Sequence, residues 1–154
     1  MSVIALVTTP ILVAIMKTQL YFDLAGKTNH PRIHFRESKE VEEIMEDLRK
    51  ENIAVFEIDG AALSSHEGLF KAFAMALRKP KDWYGGEEYP SNVNSFLEYL
   101  DDVLDWVPAK GHAVFVRGSE HLWRTHARLA GELTEWWQFA TVTNQATVHL
   151  VFIW

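Results

Sequence analysis

The residues best suited to recognition or catalysis lie between positions 80 and 105. This segment joins an aromatic, glycine-containing loop to a stretch rich in acids, namely Asp82, Glu87, Glu88, Glu98, Asp101, Asp102 and Asp105. Lys81 is its only base, and Trp83, Tyr84, Tyr89 and Tyr99 supply rigid aromatic surface. Acids steer association with a positively charged surface, and aromatics supply contact area. Two interpretations stay open: a docking surface for a basic partner, or a solvated acidic helix after an ordinary turn.

The composition indicates one ordinary globular domain. The chain has 154 residues, of which 48% are hydrophobic and 23% charged, so it can bury a sizeable core. Its formal net charge of -6 argues against a nucleic acid as the main partner, because phosphate binding requires a basic face. A basic protein is compatible with that charge. The chain contains no cysteine, which excludes disulfides and thiolate metal sites.

Residues 1–16 carry no charged side chain and are strongly apolar. No basic residues precede the apolar run, as they would in a secretory signal. The run is also shorter than the ~20 residues of a membrane helix, and it contains Pro10. Its β-branched residues favour an added strand, or a hairpin that turns at Thr8-Thr9-Pro10. Alternatively, Met16 is the natural start of the protein.

After this segment, short strands alternate with amphipathic helices. Strands are predicted at residues 19–24, 32–36, 53–58, 113–117 and 148–154. The first helix is predicted from a Ser38 cap, and its apolar stripe is Val41, Ile44, Met45 and Leu48. The second is predicted from a capping box of Ser64 and Glu67, and its buried residues are Leu69, Phe70, Phe73 and Leu77.

The acidic stretch is predicted to be a helix capped by Asn92 or Ser91. Its buried stripe is Val93, Phe96, Leu97, Leu100, Val103 and Leu104. The opposite face then carries one row of exposed carboxylates, from Glu98, Asp101, Asp102 and Asp105. Acids late in a helix oppose the helix dipole at a cost of a few tenths of a kcal/mol each. Helix stability therefore does not explain them.

The end of the chain predicts one long helix and a closing strand. The helix starts at a Ser119 cap and runs to Ala140 through Leu122, His126, Leu129, Leu133 and Trp136. Residues 148–154 are almost all apolar, which is typical of a strand buried on both faces of a parallel sheet. Together with the strand–helix alternation, this predicts an α/β fold with a small, mainly parallel β-sheet covered by helices.

Seven histidines and many acids also raise the question of a metal site or a hydrolase. His121 and His126 lie five residues apart, whereas the zinc-binding helix pattern requires four. The other histidines show no ligand spacing, and the chain has no P-loop, dinucleotide-binding glycine motif or recognisable Ser-His-Asp order. We therefore predict no enzyme activity, no metal and no cofactor, with a small hydrolase as the minor alternative.

Much of the chain resembles the barstar family, intracellular inhibitors of the secreted ribonuclease barnase. The resemblance starts with Val55-Phe56-Glu57-Ile58-Asp59-Gly60, which is similar to the family's first strand and turn. It continues through Pro80, Trp83-Tyr84-Gly85 and Asn92-Val93-Asn94-Ser95-Phe96-Leu97-Glu98-Tyr99-Leu100. This order of proline, aromatic pair, glycine, asparagine and amphipathic acidic helix is more specific than any one of its members.

The resemblance implies a mechanism of inhibition. In the family, the aromatic loop and acidic helix plug the basic active-site cleft of the enzyme and imitate the phosphates of RNA. Position by position, the partner-binding residues implied here are Trp83, Tyr84, Gly85, Asn92, Asn94 and Glu98. Glu98 stands where the family has its main acidic anchor, an Asp, and Asp101 and Asp102 continue the acidic row. An acid of the last long helix, Glu132 or Glu135, is a further candidate, although a solvated glutamate is favoured there.

The chain departs from the family pattern in four ways. Asn94 stands in place of an Asp and removes a charge, and Leu97 stands in place of a Trp and removes an aromatic contact. Glu98 reaches further than the family's Asp, and residues 86–91 are an insertion that lengthens the loop. The resemblance in fold is therefore closer than the resemblance to an inhibitor of barnase itself.

The whole sequence predicts a barstar-like ribonuclease inhibitor or immunity protein, cytoplasmic and monomeric when free. Its partner would be a basic secreted ribonuclease or nuclease toxin, with no nucleic acid or membrane involved. A single domain would cover residues 1–154, with 54–154 as the family core and 1–53 as an N-terminal elaboration. The main alternative is an interaction module of the same fold with a non-nuclease partner.

Overall fold

The computed structural model describes residues 32–143 and 148–154. In this part of the chain, four strands form one sheet in the order β1-β4-β3-β2, and all neighbouring strands are parallel. The strands are β1 (Ile33–Arg36), β2 (Ile53–Asp59), β3 (Gly111–Arg117) and β4 (Val148–Ile153). The predicted parallel sheet is confirmed. The strand predicted at 19–24 and the apolar segment 1–16 lie outside the described residues.

The position of β4 explains why its sequence is apolar throughout. This strand lies between β1 and β3, so that Leu150 pairs with Ile33 on one side and with Val114 on the other. All residues of β4 are buried, as are all residues of β3 except Arg117. A strand covered on both faces has no solvent face that would call for polar residues.

Five α-helices connect and cover these strands within the described residues. They are α1 (Ser38–Lys50), α2 (His66–Ala76), α3 (Val93–Trp106), α4 (Ser119–Thr125) and α5 (Ala127–Thr143). Two short 3-10 helices, Gly60–Ala62 and Trp83–Gly86, lie after β2 and after α2. None of the helices in the described part of the chain is long and apolar enough to cross a membrane.

The helices pack on both faces of the sheet. The stripe of α1 covers one face, in a cluster that includes Val41, Ile44, Met45, Leu48, Phe115, Val151 and Ile153. The helices α2, α3 and α5 cover the other face, which carries Val114, Val116, Leu150 and Phe152. Successive residues of β3 and β4 thus point to opposite layers, as the two-residue period of a strand requires. The predicted α/β class and the predicted stripes of α1 and α2 are confirmed.

Two helix caps lie one residue away from their predicted positions. Ser38 is the first residue of α1, and the capping position belongs to Glu37, whose side chain makes no capping hydrogen bond. Ser65 rather than Ser64 caps α2, because its Oγ accepts a hydrogen bond from the N–H of Gly68 at 3.0 Å. Ser64 and Ser65 have the same capping ability, so residue type alone does not choose between them. At α1, the helix starts one residue earlier than the preferred capping residue indicates.

The prediction that Ser119 caps a helix is wrong. The capping residue of α4 is Gly118, whose φ of 66° lies in the left-handed region that favours glycine. The Ser119 hydroxyl is buried, where it donates a hydrogen bond to the carbonyl of Val116 at 2.6 Å. It also accepts one from the N–H of Ile153 at 3.1 Å. The serine is the first residue of α4, and its side chain ties β3 to the end of β4 instead of capping the helix.

The predicted long helix is two helices, because the backbone leaves the helical path at His126, where φ is -128°. Beyond the break, Leu129, Leu133 and Ala140 of the predicted stripe are buried, but the fully buried tryptophan is Trp137 and not Trp136. Trp136 is half-buried and packs against Phe70 and Phe96 on the neighbouring helices. The apolar repeat continues across the break, so periodicity alone predicts a single helix.

Two buried histidines contact each other between the neighbouring strands β1 and β4. His34 Nε2 and His149 Nδ1 are 3.0 Å apart, and the two rings stack with centroids 5.3 Å apart. Both side chains are buried, and His149 is only 1% exposed. Burial, followed by the nearby charges of His34 and Arg32, lowers the pKa of His149 to about 2. His149 is therefore neutral in the folded protein at physiological pH.

We expect the stability of the fold to decrease as the pH falls below the ordinary histidine pKa of 6.5, because only the unfolded chain can then protonate His149. The stabilisation is complete above that value and is lost progressively towards pH 2, by up to about 1.4 kcal/mol per pH unit. His149→Asn, whose amide can form the Nδ1 hydrogen bond without titrating, should give a shallower slope. Urea unfolding between about pH 7.5 and 4.5 measures both slopes, and equal slopes would contradict the assignment.

Phe96 on α3 is fully buried and touches the rings of Phe70 and Phe73 on α2. We expect Phe96→Asp to unfold the domain, because a charge without a partner in this core costs more than about 4 kcal/mol. Asn94→Asp places the same charge at an exposed position two residues away and should leave the melting temperature nearly unchanged. A cooperative melt of Phe96→Asp at the wild-type temperature would show that the buried face of α3 is misassigned.

Candidate partner-binding surface

The predicted site residues lie on α3 and on the loop of residues 77–92 that precedes it. Loops beyond roughly 12–15 residues are uncommon in compact domains and are usually functional. The middle of this loop is the 3-10 helix Trp83–Gly86. Its last two residues, Gly85 and Gly86, have φ values of 67° and 88°. No side chain crowds these glycines, so their left-handed backbone is what favours glycine here.

The start of the loop is held by Trp106, the last residue of α3. Its Nε1 donates a hydrogen bond to the carbonyl of Leu77 at 2.8 Å. Its ring meets the ring of Trp83 edge-on, with centroids 5.1 Å apart. Trp83 is thus half-buried rather than freely projecting, and only part of its ring is available to a partner. Tyr84 occupies the next position of the 3-10 helix.

The end of the loop is held by Tyr89. Its hydroxyl donates a hydrogen bond to Oε1 of Glu67 on α2 at 3.1 Å. Lys71 forms an ion pair with the same carboxylate at 3.0 Å, and its ammonium lies 4.9 Å from the centroid of the Tyr89 ring. Hydrogen bonds from Lys71 and Tyr89 lower the pKa of Glu67. Pro90 is buried next to this group, so the loop lies against α2 before it enters α3.

The amino end of α3 uses Asn92 for its own structure. The Asn92 Oδ1 accepts a hydrogen bond from the N–H of Ser95 at 3.0 Å, which confirms the predicted cap. Because this oxygen is engaged in capping, Asn92 offers a partner mainly its side-chain NH2 group, which lies 3.4 Å from Ser91 Oγ. Asn94, the second residue of α3, is exposed.

The buried face of α3 differs from the predicted stripe at two positions. Tyr99, taken from the sequence as part of the aromatic surface, is fully buried, whereas Leu104 is 45% exposed. The Tyr99 ring lies under the loop, edge-on to Trp106 at 6.3 Å and 5.8 Å from the ammonium of Lys79. Burial, followed by the charge of Glu87, raises the pKa of Tyr99 to about 12. Leu97 is also buried, so the position where the family has a Trp faces the core here.

The opposite side of α3 carries the predicted carboxylates. Glu98 and Asp105 are exposed, and Asp101 and Asp102 are half-exposed. Partial desolvation, followed by the charges of Asp102 and Glu98, raises the pKa of Asp101. We call the patch of Glu98, Asp101 and Asp102 the acidic face. Within the described residues, neither Glu98 nor Asp101 forms an ion pair, so no cation of that part of the chain offsets their mutual repulsion at close range.

Basic residues lie in the loop that precedes α3. Arg78, Lys79 and Lys81 follow the end of α2. They line an open groove of about 420 Å³ together with Glu87 and Glu88. The loop therefore carries both signs of charge, in contrast to the acidic face.

The two glutamates proposed from the last long helix have different surroundings. Glu132 on α5 is engaged within the chain, because its Oε2 lies 2.6 Å from Nε2 of His66 and its Oε1 accepts a hydrogen bond from Arg128 at 3.1 Å. These contacts lower the pKa of Glu132, with the His66 hydrogen bond as the largest cause. Glu135 is exposed. Glu135 is therefore closer than Glu132 to the solvated glutamate that the sequence favours at this helix.

The histidines do not assemble with acids into a larger cluster in the part of the chain that is described. His121 and His126, at the α4–α5 break, have ring centroids 6.2 Å apart. Among residues 32–143 and 148–154, no group of three or more His, Asp or Glu side chains is placed to hold a metal ion. The hydrolase alternative therefore gains no geometric support from this region.

Comparison with known families adds one match. The family model described as Barstar (barnase inhibitor) matches residues 53–151, which is well over half of the chain. The chain belongs to the barstar family. A search of curated proteins finds no match. The matched region begins at the first residue of β2 and ends within β4, so β1 and α1 precede it. Nevertheless, β1 pairs with β4 in the same sheet, and α1 packs in one core with residues of β2, β3 and β4.

We expect the carboxyl of Asp101 to titrate above its ordinary pKa of 3.8, since it is partly desolvated and has two acidic neighbours. Glu98→Gln should lower that pKa, because it removes one like charge and keeps the side-chain length. The folded state is penalised once Asp101 ionises, so Asp101→Asn should stabilise the fold at pH 7 by less than about 0.5 kcal/mol. The gain should vanish below pH 3.8. NMR titration measures the pKa directly, and a value at or below 3.8 would contradict the clustering.

Proposed function

We propose that this chain is a ribonuclease inhibitor that blocks a basic active-site cleft with its acidic face and the loop around Trp83–Gly86. Membership of a family described as barnase inhibitors supports this function. The observation that carries it is that Glu98 and Asp101 lie close together on the solvent side of α3 and form no ion pair in the described residues. Such an arrangement costs stability in the free protein and is relieved when a basic partner supplies the missing charge.

In the proposed complex, the carboxylates stand in for the phosphates of RNA. Glu98 is the anchor that enters a pocket lined by Arg or Lys of the enzyme, where its charge is desolvated and paired. Asp101 and Asp102 flank it and steer association. Trp83, Tyr84 and Gly85 contribute contact surface beside the helix, with Trp83 presenting the exposed part of its half-buried ring. Asn92 and Asn94 complete the surface as polar contacts at the amino end of α3.

The proposed inhibitor needs neither a metal nor a cofactor, and it has no catalytic residue of its own. A ribonuclease that is secreted must be kept harmless in the cell that makes it, so we place the inhibitor in the cytoplasm. The proposed free form is a monomer. Its function as an immunity protein follows if the partner is a nuclease toxin.

A second candidate is an interaction module with a partner other than a nuclease. Two observations favour it. Leu97 is buried and Asn94 is uncharged, so two contacts that the family resemblance implies are missing. Arg78, Lys79 and Lys81 also lie in the loop that forms part of the proposed surface, in a groove shared with Glu87 and Glu88. These cations would oppose docking onto a uniformly basic surface, although they fit a basic cleft with an acidic rim.

We expect Glu98→Ala to weaken binding to the ribonuclease by about 2–5 kcal/mol, because the enzyme's cation would be left buried and unpaired. The barnase–barstar pair is itself an example behind that range. Asp105→Ala, two turns further along α3, should cost far less, as a rim charge does. Trp83→Ala should weaken binding through lost contact area. The measurement is a calorimetric titration against barnase and a panel of other basic secreted ribonucleases, with thermal melts to confirm that each variant folds.

The same panel separates the two candidates. Association of the wild type with a ribonuclease should slow as salt increases, while dissociation changes little, because exposed acids act mainly through steering. Equal and small losses at Glu98 and Asp105 would mean that the acidic face steers without plugging the cleft. If no ribonuclease of the panel is bound or inhibited, the inhibitor function fails and the interaction module is favoured.

A further inference from the structure

The insertion at residues 86–91 is anchored to the fold rather than hanging from it. Tyr89, in the middle of the insertion, contacts two side chains that lie one turn apart on α2. Its hydroxyl binds Glu67, its ring lies under the ammonium of Lys71, and Lys71 in turn pairs with Glu67. The ring of Tyr89 also packs against the edge of the main core. We call Tyr89, Glu67 and Lys71 the clasp.

The clasp is the second of two attachments that define the shape of the loop. Trp106 holds its start, through the hydrogen bond to Leu77 and the contact with Trp83. The clasp holds its end, immediately before the cap of α3. Between the two attachments lie the 3-10 helix Trp83–Gly86 and its two left-handed glycines. Because the loop is attached at both ends, its middle part has few alternative conformations. We call this middle part the apex.

Prior ordering of a loop matters for binding. Each side chain or segment that a complex must immobilise subtracts from affinity, whereas a segment that is already fixed does not. Glycines at the apex would otherwise make the loop more flexible than one without them. The insertion lengthens the loop, which increases the number of conformations that must be restricted. The attachment at Tyr89 lies within the insertion and restricts these additional conformations.

We propose that Tyr89 is a positioning residue for the partner-binding loop, which the clasp holds in its binding conformation before the partner arrives. This inference rests on the proposed function, because it concerns the same surface. It assigns to the insertion a role that the resemblance to the family does not provide. A rigid insertion also restricts the partner to a ribonuclease whose cleft is open on the side next to α2.

The first test concerns the free protein and uses amide hydrogen exchange of residues 85–91. Tyr89→Phe keeps the ring and removes the hydroxyl, and Tyr89→Ala removes both. We expect exchange in this segment to increase in both variants, by about tenfold in Tyr89→Ala, with little change in the rest of the sheet. Glu67→Gln keeps an oxygen that can accept the hydrogen bond and should stay closer to the wild type than Glu67→Leu. Glu46→Leu removes an equivalent i,i+4 ion pair, with Lys50 on α1, and is the matched control that should leave exchange of this segment unchanged.

The second test measures binding to the ribonuclease of highest affinity in the panel. Tyr89→Ala should weaken binding by about tenfold, and Tyr89→Phe by less. If Tyr89 acts through the loop, its effect should shrink in a background where the loop contact is already lost. The double variant Trp83→Ala with Tyr89→Ala should therefore lose less than the product of the two single losses. A purely structural role of Tyr89 would leave the two losses independent.

The outcomes separate this inference from the proposed function. Unchanged exchange of residues 85–91 in Tyr89→Ala would overturn the clasp, whatever the chain binds. Increased exchange with unchanged affinity, or independent losses in the double variant, would overturn the positioning role. In either case a large loss in Glu98→Ala would leave the inhibitor function standing. If the wild type binds none of the ribonucleases, the proposed function and this inference fall together.

Discussion

The two central strands, β3 and β4, bury side chains on both faces of the sheet, and this constraint decides where every helix lies. Apolar residues on two faces require cover on two faces. The helix α1 supplies one layer, and α2, α3 and α5 supply the other. The family match starts only at β2, so the cover on the α1 side comes from outside the matched region. The additional elements therefore complete the barstar region and do not form a separate unit beside it.

The same constraint fixes the orientation of α3. Its inner face is used by Phe96, Leu97, Tyr99, Leu100 and Val103, so its rotation about its own axis is set by the core. The carboxylates on the outer face can then be placed without any effect on packing. They are costly, because partial desolvation and the like charges of Asp102 and Glu98 raise the pKa of Asp101. A rigid inner face and a repulsive outer face agree with the proposed docking surface, in which a partner would neutralise the charge.

Short-range sequence patterns predicted the features that depend on neighbouring residues in the chain. The period of α3 predicted its acidic face, and the uniform hydrophobicity of residues 148–154 predicted a doubly covered strand. The burial of Tyr99 in place of Leu104 could not be predicted, because it depends on the loop that covers Tyr99 and on its contact with Trp106. The break at His126 was missed because the apolar repeat runs through it.

Contacts between distant residues left no signal in the sequence. His34 and His149 are separated by 115 positions, and neither has a neighbour that would mark it as half of a pair. Tyr89 and Glu67 are 22 positions apart, and both were interpreted differently from sequence, Tyr89 as exposed aromatic surface and Glu67 as part of a capping box. Residue types that satisfy a local rule can be used for a tertiary contact instead, and only the fold distinguishes the two uses.

The departures from the family pattern form a consistent physical picture. Asn94 has no charge, and Leu97 belongs to the core, so the first turns of α3 offer a partner less than the resemblance implies. The remaining charge lies further along the helix, at the acidic face, and the remaining aromatic surface lies in the loop. A surface with fewer contacts must be better ordered before binding to reach the same affinity, because ordering during binding subtracts from affinity. The two attachments of the loop, at Trp106 and at Tyr89, provide that order. The insertion that makes the loop longer thus also carries the side chain that makes it rigid.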